Sequence, residues 1–156
     1  MAGFFACRPE AGQARAYRLR REEGRLMEKE DLTHKVIGCA YQVYNSLGFG
    51  FLESVYRKAM VIELDLAGLK AEQEQPLQVH YRAQIVGDFS ADLIIEDDLI
   101  VELKSVERMV KPHEAQLVNY LVATGIEIGL LINFGPAGVD VKRKYRTKKT
   151  ERERDR

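Results

Sequence analysis

The stretch Asp92-Leu-Ile-Ile-Glu-Asp-Asp-Leu-Ile-Val-Glu102-Leu-Lys104 decides the fold, because it predicts two strands joined by a turn. Side chains two positions apart in a strand lie on the same face, so Glu102 and Lys104 share one face of the second strand. Val101 and Leu103 then point to the other face. Asp92 lies between two apolar neighbours on the preceding strand and also points away from the apolar side. The hairpin therefore predicts three charged groups gathered on one face.

The register of this hairpin decides whether the three groups meet. A two-residue turn at Asp97-Asp98 would place Asp92 opposite Leu103, on the wrong face. A turn of odd length, or a β-bulge, places Asp92 opposite Glu102 or opposite Lys104 instead. A shared site therefore requires an odd-length turn or a bulge.

Two helices are predicted before the hairpin. Apolar residues recur every three or four positions from Asp31 to Leu47, and Asp31 or Thr33 is suited to cap the start. A second helix is predicted from about residue 52 to residue 67, with Gly68 as its stop. Its apolar stripe is expected to face the core and consists of Val55, Ala59, Ile62 and Leu66.

The rest of the chain completes a sheet. Alternation in residues 77–81, 85–92 and 99–106 predicts three antiparallel strands, and Pro112 predicts the start of a helix that Gly125 ends. The apolar run 126–134 is typical of a strand that is buried on both faces beside a parallel neighbour, and 139–145 adds an edge strand. The order ααβββαβ(β) predicts a mixed β-sheet flanked by helices, in the α/β or α+β class.

Length and composition indicate one folded domain. The chain has 156 residues, of which 46% are apolar and 31% charged, and this balance excludes a disordered chain. No apolar stretch approaches the roughly 20 residues that cross a bilayer, so we expect no membrane association. Two cysteines, Cys7 and Cys39, do not make a disulfide framework, and Cys39 falls in a helical pattern as a small buried thiol. These features predict a reducing, cytoplasmic location.

The two ends of the chain differ from the middle. Residues 1–27 are predicted to be a poorly ordered N-terminal extension, and Met27 is a candidate translation start. Residues 28–146 form the predicted domain, and 147–156 a basic, disordered tail. From residue 142 onward there are nine basic and three acidic residues, although the whole chain has 24 of each. A basic end of this kind is either a solvated tail or a source of phosphate contacts.

The charged hairpin points to metal chemistry. Two carboxylates a few Å apart repel unless a cation lies between them, and carboxylate oxygens suit Mg²⁺ or Mn²⁺ better than Zn²⁺. Lys104 beside them could stabilise charge on a phosphoryl oxygen and orient the attacking water, which is the chemistry of phosphodiester hydrolysis. The alternative for Glu102 and Lys104 is an ordinary surface ion pair on a half-exposed strand.

Several motifs together resemble a known family. Gly50-Phe-Leu-Glu53-Ser-Val-Tyr56 is similar to the signature that names the GxxExxY protein family, a branch of the PD-(D/E)XK nuclease-like superfamily. The likeness covers about residues 30 to 146, and its further motifs are Asp92, Glu102-Leu-Lys104, Gln116-Leu-Val-Asn-Tyr120 and Leu130-Leu-Ile-Asn-Phe-Gly135. The resemblance implies a restriction-endonuclease-like core and a nuclease that cuts DNA or RNA with magnesium.

The resemblance also implies roles for individual residues. Asp92 and Glu102 look like metal-binding carboxylates, Lys104 like the catalytic lysine, and Glu53 like an additional acidic metal ligand presented by a helix. The alternative for Glu53 is a first-turn carboxylate that the helix dipole favours. Glu53 and Tyr56 share a helical face, and the glycines before them, including Gly50, are expected to let the backbone approach the sheet closely.

A second motif lies on the helix after the hairpin. Gln116 and Tyr120 are four residues apart and resemble the Gln-x-x-x-Tyr element of exonuclease-like branches, where they would contact the substrate backbone or hold Lys104 and a metal-bound water. The alternative is an ordinary amphipathic helix with one buried tyrosine. His34, His80 and His113 show no metal-ligand spacing, and we expect surface or packing roles for them.

The expected partner is a nucleic acid, either DNA or RNA. The basic tail from Lys142, together with Arg108 and Lys111, would supply the phosphate contacts, but the acidic middle offers no broad basic groove. Binding could therefore require a homodimer or another protein partner. The alternative function is a catalytically silent nucleic-acid-binding or protein-interaction module that keeps the nuclease fold.

Overall fold

The computed structural model describes residues 11–147. The elements are α1 (Ala11–Leu47), α2 (Glu53–Leu66), β1 (Ala71–Tyr81), β2 (Gln84–Ile95), β3 (Leu99–Lys104), α3 (Lys111–Thr124), β4 (Ile128–Gly135) and β5 (Gly138–Tyr145). The predicted order of elements is confirmed. No helix in the described part of the chain is both long enough and apolar enough to cross a bilayer.

The five strands form one mixed sheet in the order β1-β2-β3-β4-β5. The first three strands are antiparallel neighbours, β3 and β4 are parallel, and β5 returns antiparallel to β4. Helix α3 makes the crossover that a parallel pair requires. Every residue of β4 is buried, which confirms the prediction of a central strand covered on both faces.

Helix α3 covers one face of the sheet. Leu117, Tyr120 and Leu121 pack with Ile100 of β3 and Leu131 of β4 in one buried cluster. The helix lies close to β4, because a Cβ atom added at Gly129 would lie 2.7 Å from Cδ1 of Leu117. Gly125, in the left-handed conformation at φ 76°, ends α3 as predicted.

The start of α1 differs from the prediction. The helix begins at Ala11 rather than at Asp31, so neither Asp31 nor Thr33 caps it. The hydroxyl of Thr33 donates instead to the carbonyl oxygen of Glu30, within the helix. The N-terminal extension is thus helical from residue 11, and its first ten residues, including Cys7, lie outside the described part. Its poor ordering and a start at Met27 stay predictions.

The chain divides into two compact units, and the second begins at Lys35. The first unit holds the earlier part of α1. The second holds the end of α1, the other two helices and the whole sheet, and all the candidate site residues belong to it. In this unit the α1 residues Val36, Cys39, Ala40 and Val43 are buried. Burial raises the pKa of the Cys39 thiol, in agreement with the expected buried cysteine.

The buried face of α2 is not the predicted one. Ile62 and Leu66, which were expected to face the core, are 62% and 76% exposed. The buried residues are Tyr56, Met60 and Leu64, which are spaced four apart. Tyr56 stacks on Phe134 of β4, with ring centroids 4.3 Å apart and planes 3° from parallel. This stacking fixes the rotation of α2 about its axis.

Candidate active site at the parting of β2 and β3

The β2–β3 hairpin has the register that a shared site requires. Leu93 pairs with Val101 and Ile95 with Leu99, so Asp92 comes opposite Glu102 in the continuation of the register. The turn between the strands, residues 96–98, has an odd length, and Glu96 and Asp97 take positive φ angles of 51° and 56°. The prediction of an odd-length turn is confirmed.

The strands separate at the candidate site. Their regular pairing ends at Leu93 and Val101, and side-chain oxygens replace carbonyl acceptors beyond it. The backbone N–H of Asp92 donates to Oε1 of Glu102 at 3.2 Å, and the backbone N–H of Leu103 donates to Oδ2 of Asp92 at 2.8 Å. The two carboxyl groups are thereby held side by side in the opening between the strands.

The surroundings of Asp92 and Glu102 disfavour the state in which both carboxyl groups are ionised. Glu102 is 4% exposed. Burial, and then the charge of Asp92, raise the pKa of Glu102 from 4.5 to about 8, while the positive charge of Lys104 acts in the opposite direction. At neutral pH the metal-free carboxyl pair therefore retains one proton. That proton relieves the repulsion that a cation would otherwise relieve.

Lys104 lies at the end of β3, two residues beyond Glu102, and its side chain is partly exposed. In the parallel register it stands beside Asn133 of β4. Asn133 is buried, accepts from the N–H of Val106 at 3.0 Å and donates to the carbonyl oxygen of Val106 at 2.8 Å. This double contact fixes the chain just after Lys104. A lone asparagine in an apolar strand was the available signal for it, but no role was predicted for this residue.

Gln116 and Tyr120 lie on the helix that covers the Glu102 face of the sheet, because Tyr120 packs with Ile100 and with Leu131, the β4 partner of Glu102. The side-chain amide of Gln116 donates to the Tyr120 hydroxyl at 2.7 Å, so the two residues share one face of α3 as predicted. Tyr120 is 5% exposed. Burial and the nearby charges of Glu102 and Asp92 raise the pKa of Tyr120, while the hydrogen bond from Gln116 acts in the opposite direction. The tyrosine hydroxyl therefore belongs to the same electrostatic environment as the carboxyl pair.

The motif before α2 builds a loop. Gly48 and Gly50 have φ angles of 69° and 116°, and no atom lies within 4 Å of a Cβ added at either. The glycines therefore serve the backbone conformation, and no close contact with the sheet requires a glycine at either position. The Tyr56 hydroxyl donates to the carbonyl oxygen of Gly48, and the Ser105 hydroxyl donates to that of Phe51 at 2.7 Å. Through Ser105 the loop is attached next to Lys104.

Glu53 is the first residue of α2 and is partly exposed. Within residues 11–147, no three His, Cys, Asp or Glu side chains are close enough together to form a metal-binding group. The structure thus brings together Asp92 and Glu102 but does not add Glu53 as a third member of their group. A metal-binding role for Glu53 stays a prediction.

Arg57 is a site residue that the sequence analysis missed. Its Nη1 lies 3.6 Å from Oδ1 of Asp92, and its Nη2 lies 3.0 Å from Oε1 of Glu74. The side chain is 15% exposed, and its buried Nε has no hydrogen-bond partner among the described residues. Glu74 takes a positive φ of 49° within β1, an irregular backbone conformation for a strand residue. Neither this irregularity nor the approach of α2 to β1 is visible in a local sequence pattern.

Two lysines of the basic C-terminal end form ion pairs with helix α3. Lys142, in β5, bonds to Glu114 of α3 at 2.6 Å, and Lys144 pairs with the same carboxylate. These two lysines hold the pKa of Glu114 down at about 2. Lys142 thus lies in the predicted edge strand and pairs with an acid, while its expected phosphate contact stays a prediction. Arg108 and Lys111 are exposed before and at the start of α3. Residues 148–156 lie outside the described part.

The comparisons with known proteins agree with this geometry. Residues 30–145 match the PD-(D/E)XK nuclease superfamily, and the chain belongs to that superfamily. The five-stranded mixed sheet with flanking helices is consistent with a restriction-endonuclease-like fold, as predicted. No curated protein matches the sequence.

A solved structure supports the fold. The structure titled "Crystal structure of SSO0001" is similar with a TM-score of 0.50 at 19% sequence identity. The similarity covers 62% of this chain and 50% of that chain, so the matched part spans half the length of the solved chain. At this level of identity the likeness concerns the fold alone.

Proposed function

We propose that this protein is a metal-dependent nuclease of the GxxExxY branch, which hydrolyses phosphodiester bonds of DNA or RNA. The observation that carries the proposal is the pair of carboxyl groups, Asp92 and Glu102, held side by side where β2 and β3 part, with Lys104 two residues further along β3. Membership of the nuclease superfamily supports a nucleic acid as the substrate.

The donor set fits a hard divalent cation such as Mg²⁺, or Mn²⁺ in its place. Asp92 and Glu102 offer carboxylate oxygens, the ligands these ions prefer. The raised pKa of Glu102, which results from burial and the charge of Asp92, is the expected property of a site where positive charge is needed. A bound ion of this kind lowers the pKa of a water ligand and polarises a phosphoryl oxygen.

The protein's own groups have distinct parts in the proposal. Asp92 and Glu102 hold the cation, and Lys104 places an ammonium group where charge builds up on the phosphoryl oxygen. Gln116 fixes the Tyr120 hydroxyl, and this pair positions the substrate backbone next to the carboxyl groups. Glu53 is proposed as an additional acidic group, to be tested by Glu53→Gln.

The first experiment is a cleavage assay on labelled single-stranded and duplex DNA and RNA with Mg²⁺, Mn²⁺ or EDTA. We expect cleavage that requires the metal and is abolished by Lys104→Ala. Lys35→Ala, which removes an exposed lysine of α1, is the matched control and should cleave like the parent protein. Circular dichroism spectra establish that both variants are folded. Equal cleavage by the Lys104→Ala protein would refute the proposed role of Lys104.

One observation favours the alternative of a catalytically silent module. The carboxyl pair is already satisfied without a metal, because Arg57 lies beside Asp92 and two backbone N–H groups donate to the carboxyl oxygens. Calorimetric titration with Mn²⁺ separates the two functions. The nuclease requires binding that Asp92→Asn and Glu102→Gln both weaken, whereas the silent module shows no binding that depends on these residues. A homodimer or a protein partner remains part of either proposal.

A further inference from the structure

A cavity of about 570 Å³ lies between α3 and the hairpin of β1 and β2. Its lining is mostly apolar, with two side-chain amides, Gln116 and Asn119, and two aromatic rings, Phe89 and Tyr120. This volume is in the range of pockets that hold small organic ligands, roughly 300–1,000 Å³.

The cavity and the Glu102 side chain lie on the same face of the sheet. Gln116 and Tyr120 line the cavity and are joined by a hydrogen bond. Tyr120 packs in one cluster with Ile100, two residues before Glu102, and with Leu131, the β4 partner of Glu102. A ligand group in the cavity would therefore lie beside a phosphate placed at the carboxyl pair.

Phe89 is the exposed aromatic wall of this cavity. Its side chain is 47% exposed, and its ring centroid lies 5.8 Å from that of Tyr120 at an angle of 48°. An exposed phenylalanine in the middle of a strand offers a flat π-surface to a ligand. The amides of Gln116 and Asn119 supply hydrogen-bond donors and acceptors at the edge of this surface.

These features define the chemistry of the ligand. Apolar walls and an aromatic face suit a flat, uncharged ring, and the two amides suit a ring with donors and acceptors on its edge. The nearby acidic pair disfavours an anion such as a free phosphate inside the cavity. A nucleobase meets all of these requirements.

We propose that the cavity receives a nucleobase adjacent to the scissile phosphate, stacked on Phe89 with its edge at Asn119 and Gln116. This inference rests on the proposed nuclease function and names its substrate class as single-stranded nucleic acid, or a duplex with an unpaired base. A base inside an intact duplex is stacked and paired and does not reach such a pocket without being extruded.

The test is a binding titration that does not depend on cleavage. Single-stranded oligonucleotides that contain the fluorescent base 2-aminopurine are titrated with Lys104→Ala protein in EDTA, and again with Lys104→Ala proteins that also carry Phe89→Ala or Tyr41→Ala. Tyr41, on α1, is 48% exposed and is the matched control for the removal of an exposed aromatic ring. Stacking on Phe89 quenches the fluorescence, and we expect Phe89→Ala to weaken binding on the order of tenfold, with no change for Tyr41→Ala.

A cleavage assay with the parent protein and Phe89→Ala provides the second readout. Single strands should be cut faster than duplexes, and replacing the base next to the scissile bond by an abasic site should slow the parent protein but not Phe89→Ala. Equal binding by the Phe89→Ala and Tyr41→Ala proteins, no detectable binding at all, or duplexes cut as fast as single strands would each overturn the inference.

The outcomes also separate this inference from the proposed function. Metal-dependent cleavage that is unchanged by Phe89→Ala overturns the base pocket and leaves the nuclease intact. Base-dependent quenching without cleavage by the parent protein supports the pocket and contradicts the nuclease. Self-association in sedimentation experiments that is lost in Phe89→Ala would assign the cavity to a second copy of the chain and overturn the inference.

Discussion

Replacement of Glu102 by glutamine should change how the stability of the metal-free protein depends on pH. Burial and the charge of Asp92 raise the pKa of Glu102 to about 8 in the folded protein, against 4.5 for the free side chain. Between these two values the folded chain holds a proton that the unfolded chain has lost. The free energy of unfolding therefore falls as pH rises from 4.5 to about 8.

The size of the effect follows from the same two pKa values. Each pH unit in that interval costs about 1.4 kcal/mol, which gives an upper bound of about 5 kcal/mol. Relaxation of the site reduces this amount, and we expect about 2–4 kcal/mol. Glutamine keeps an acceptor for the N–H of Asp92 but carries no charge. Glu102→Gln should therefore match the parent protein near pH 5 and exceed its stability by about 2–4 kcal/mol above pH 8.

The assay is urea unfolding followed by circular dichroism from pH 5 to pH 9, with EDTA present. Other groups titrate in this range, so the informative quantity is the difference between the parent protein and the variant. Glu107→Gln, at an exposed glutamate after β3, is the control and should run parallel to the parent protein. If the stability difference between Glu102→Gln and the parent protein does not grow with pH, the described burial and coupling of this carboxyl are wrong.

Three further substitutions test the fold and the site. Tyr56→Phe keeps the ring stack but leaves a loop carbonyl without its donor, and urea unfolding should show a loss of about 1–2 kcal/mol. Gly129→Ala places a Cβ 2.7 Å from Leu117 and should cost about 1–3 kcal/mol in the same assay. Arg57→Gln removes the guanidinium 3.6 Å from Asp92, so calorimetry should show tighter Mn²⁺ binding, on the order of tenfold.

Each of these substitutions has a matched control. Tyr41→Phe alters an exposed tyrosine and should leave stability within about 0.5 kcal/mol. Gly38→Ala, in α1 with no atom within 4 Å of the added Cβ, should stabilise by about 0.5–1 kcal/mol. Lys58→Gln removes an exposed charge of α2 and should leave Mn²⁺ affinity nearly unchanged. A control that changes as much as its test variant would contradict the corresponding argument.

The hairpin could be predicted from the sequence because its signal is local. Alternation with period two fixes which side chains share a face, and a one-residue slip would bury the charged face. The constraint required an odd-length turn or a bulge for a shared site, but it left open whether Asp92 would lie opposite Glu102 or opposite Lys104. The strand order was equally accessible, because β4 reads as a continuous apolar run and the helix before it supplies the crossover.

The face of α2 could not be predicted, because this helix has two apolar stripes. The stripe that contains Ile62 and Leu66 and the one that contains Tyr56 and Leu64 have similar spacing. The choice between them depends on the stack of Tyr56 on a ring of β4, which is distant in sequence. The same holds for the position of Arg57, since it depends on an approach of α2 to β1.

The pairing of two β5 lysines with Glu114 could have been predicted from the sequence. Lys142 and Lys144 are two apart, so they share a face of the predicted edge strand. That strand neighbours the strand that α3 covers. An acid on α3 was a natural partner, but the basic composition of the C-terminal end suggested phosphate contacts instead.

Where β2 and β3 separate, the carboxyl groups of Asp92 and Glu102 accept the backbone N–H hydrogen bonds that carbonyl oxygens accept elsewhere in the sheet. Asparagine at position 92 or glutamine at position 102 would keep an oxygen for the same amides, whereas an apolar residue would leave one unsatisfied at a cost of about 1–3 kcal/mol. The fold thus tolerates an uncharged amide at positions 92 and 102 far better than an apolar side chain without an acceptor oxygen. A descendant of this protein could lose the proposed hydrolysis through a single amide substitution and still keep β2 and β3 apart at this point.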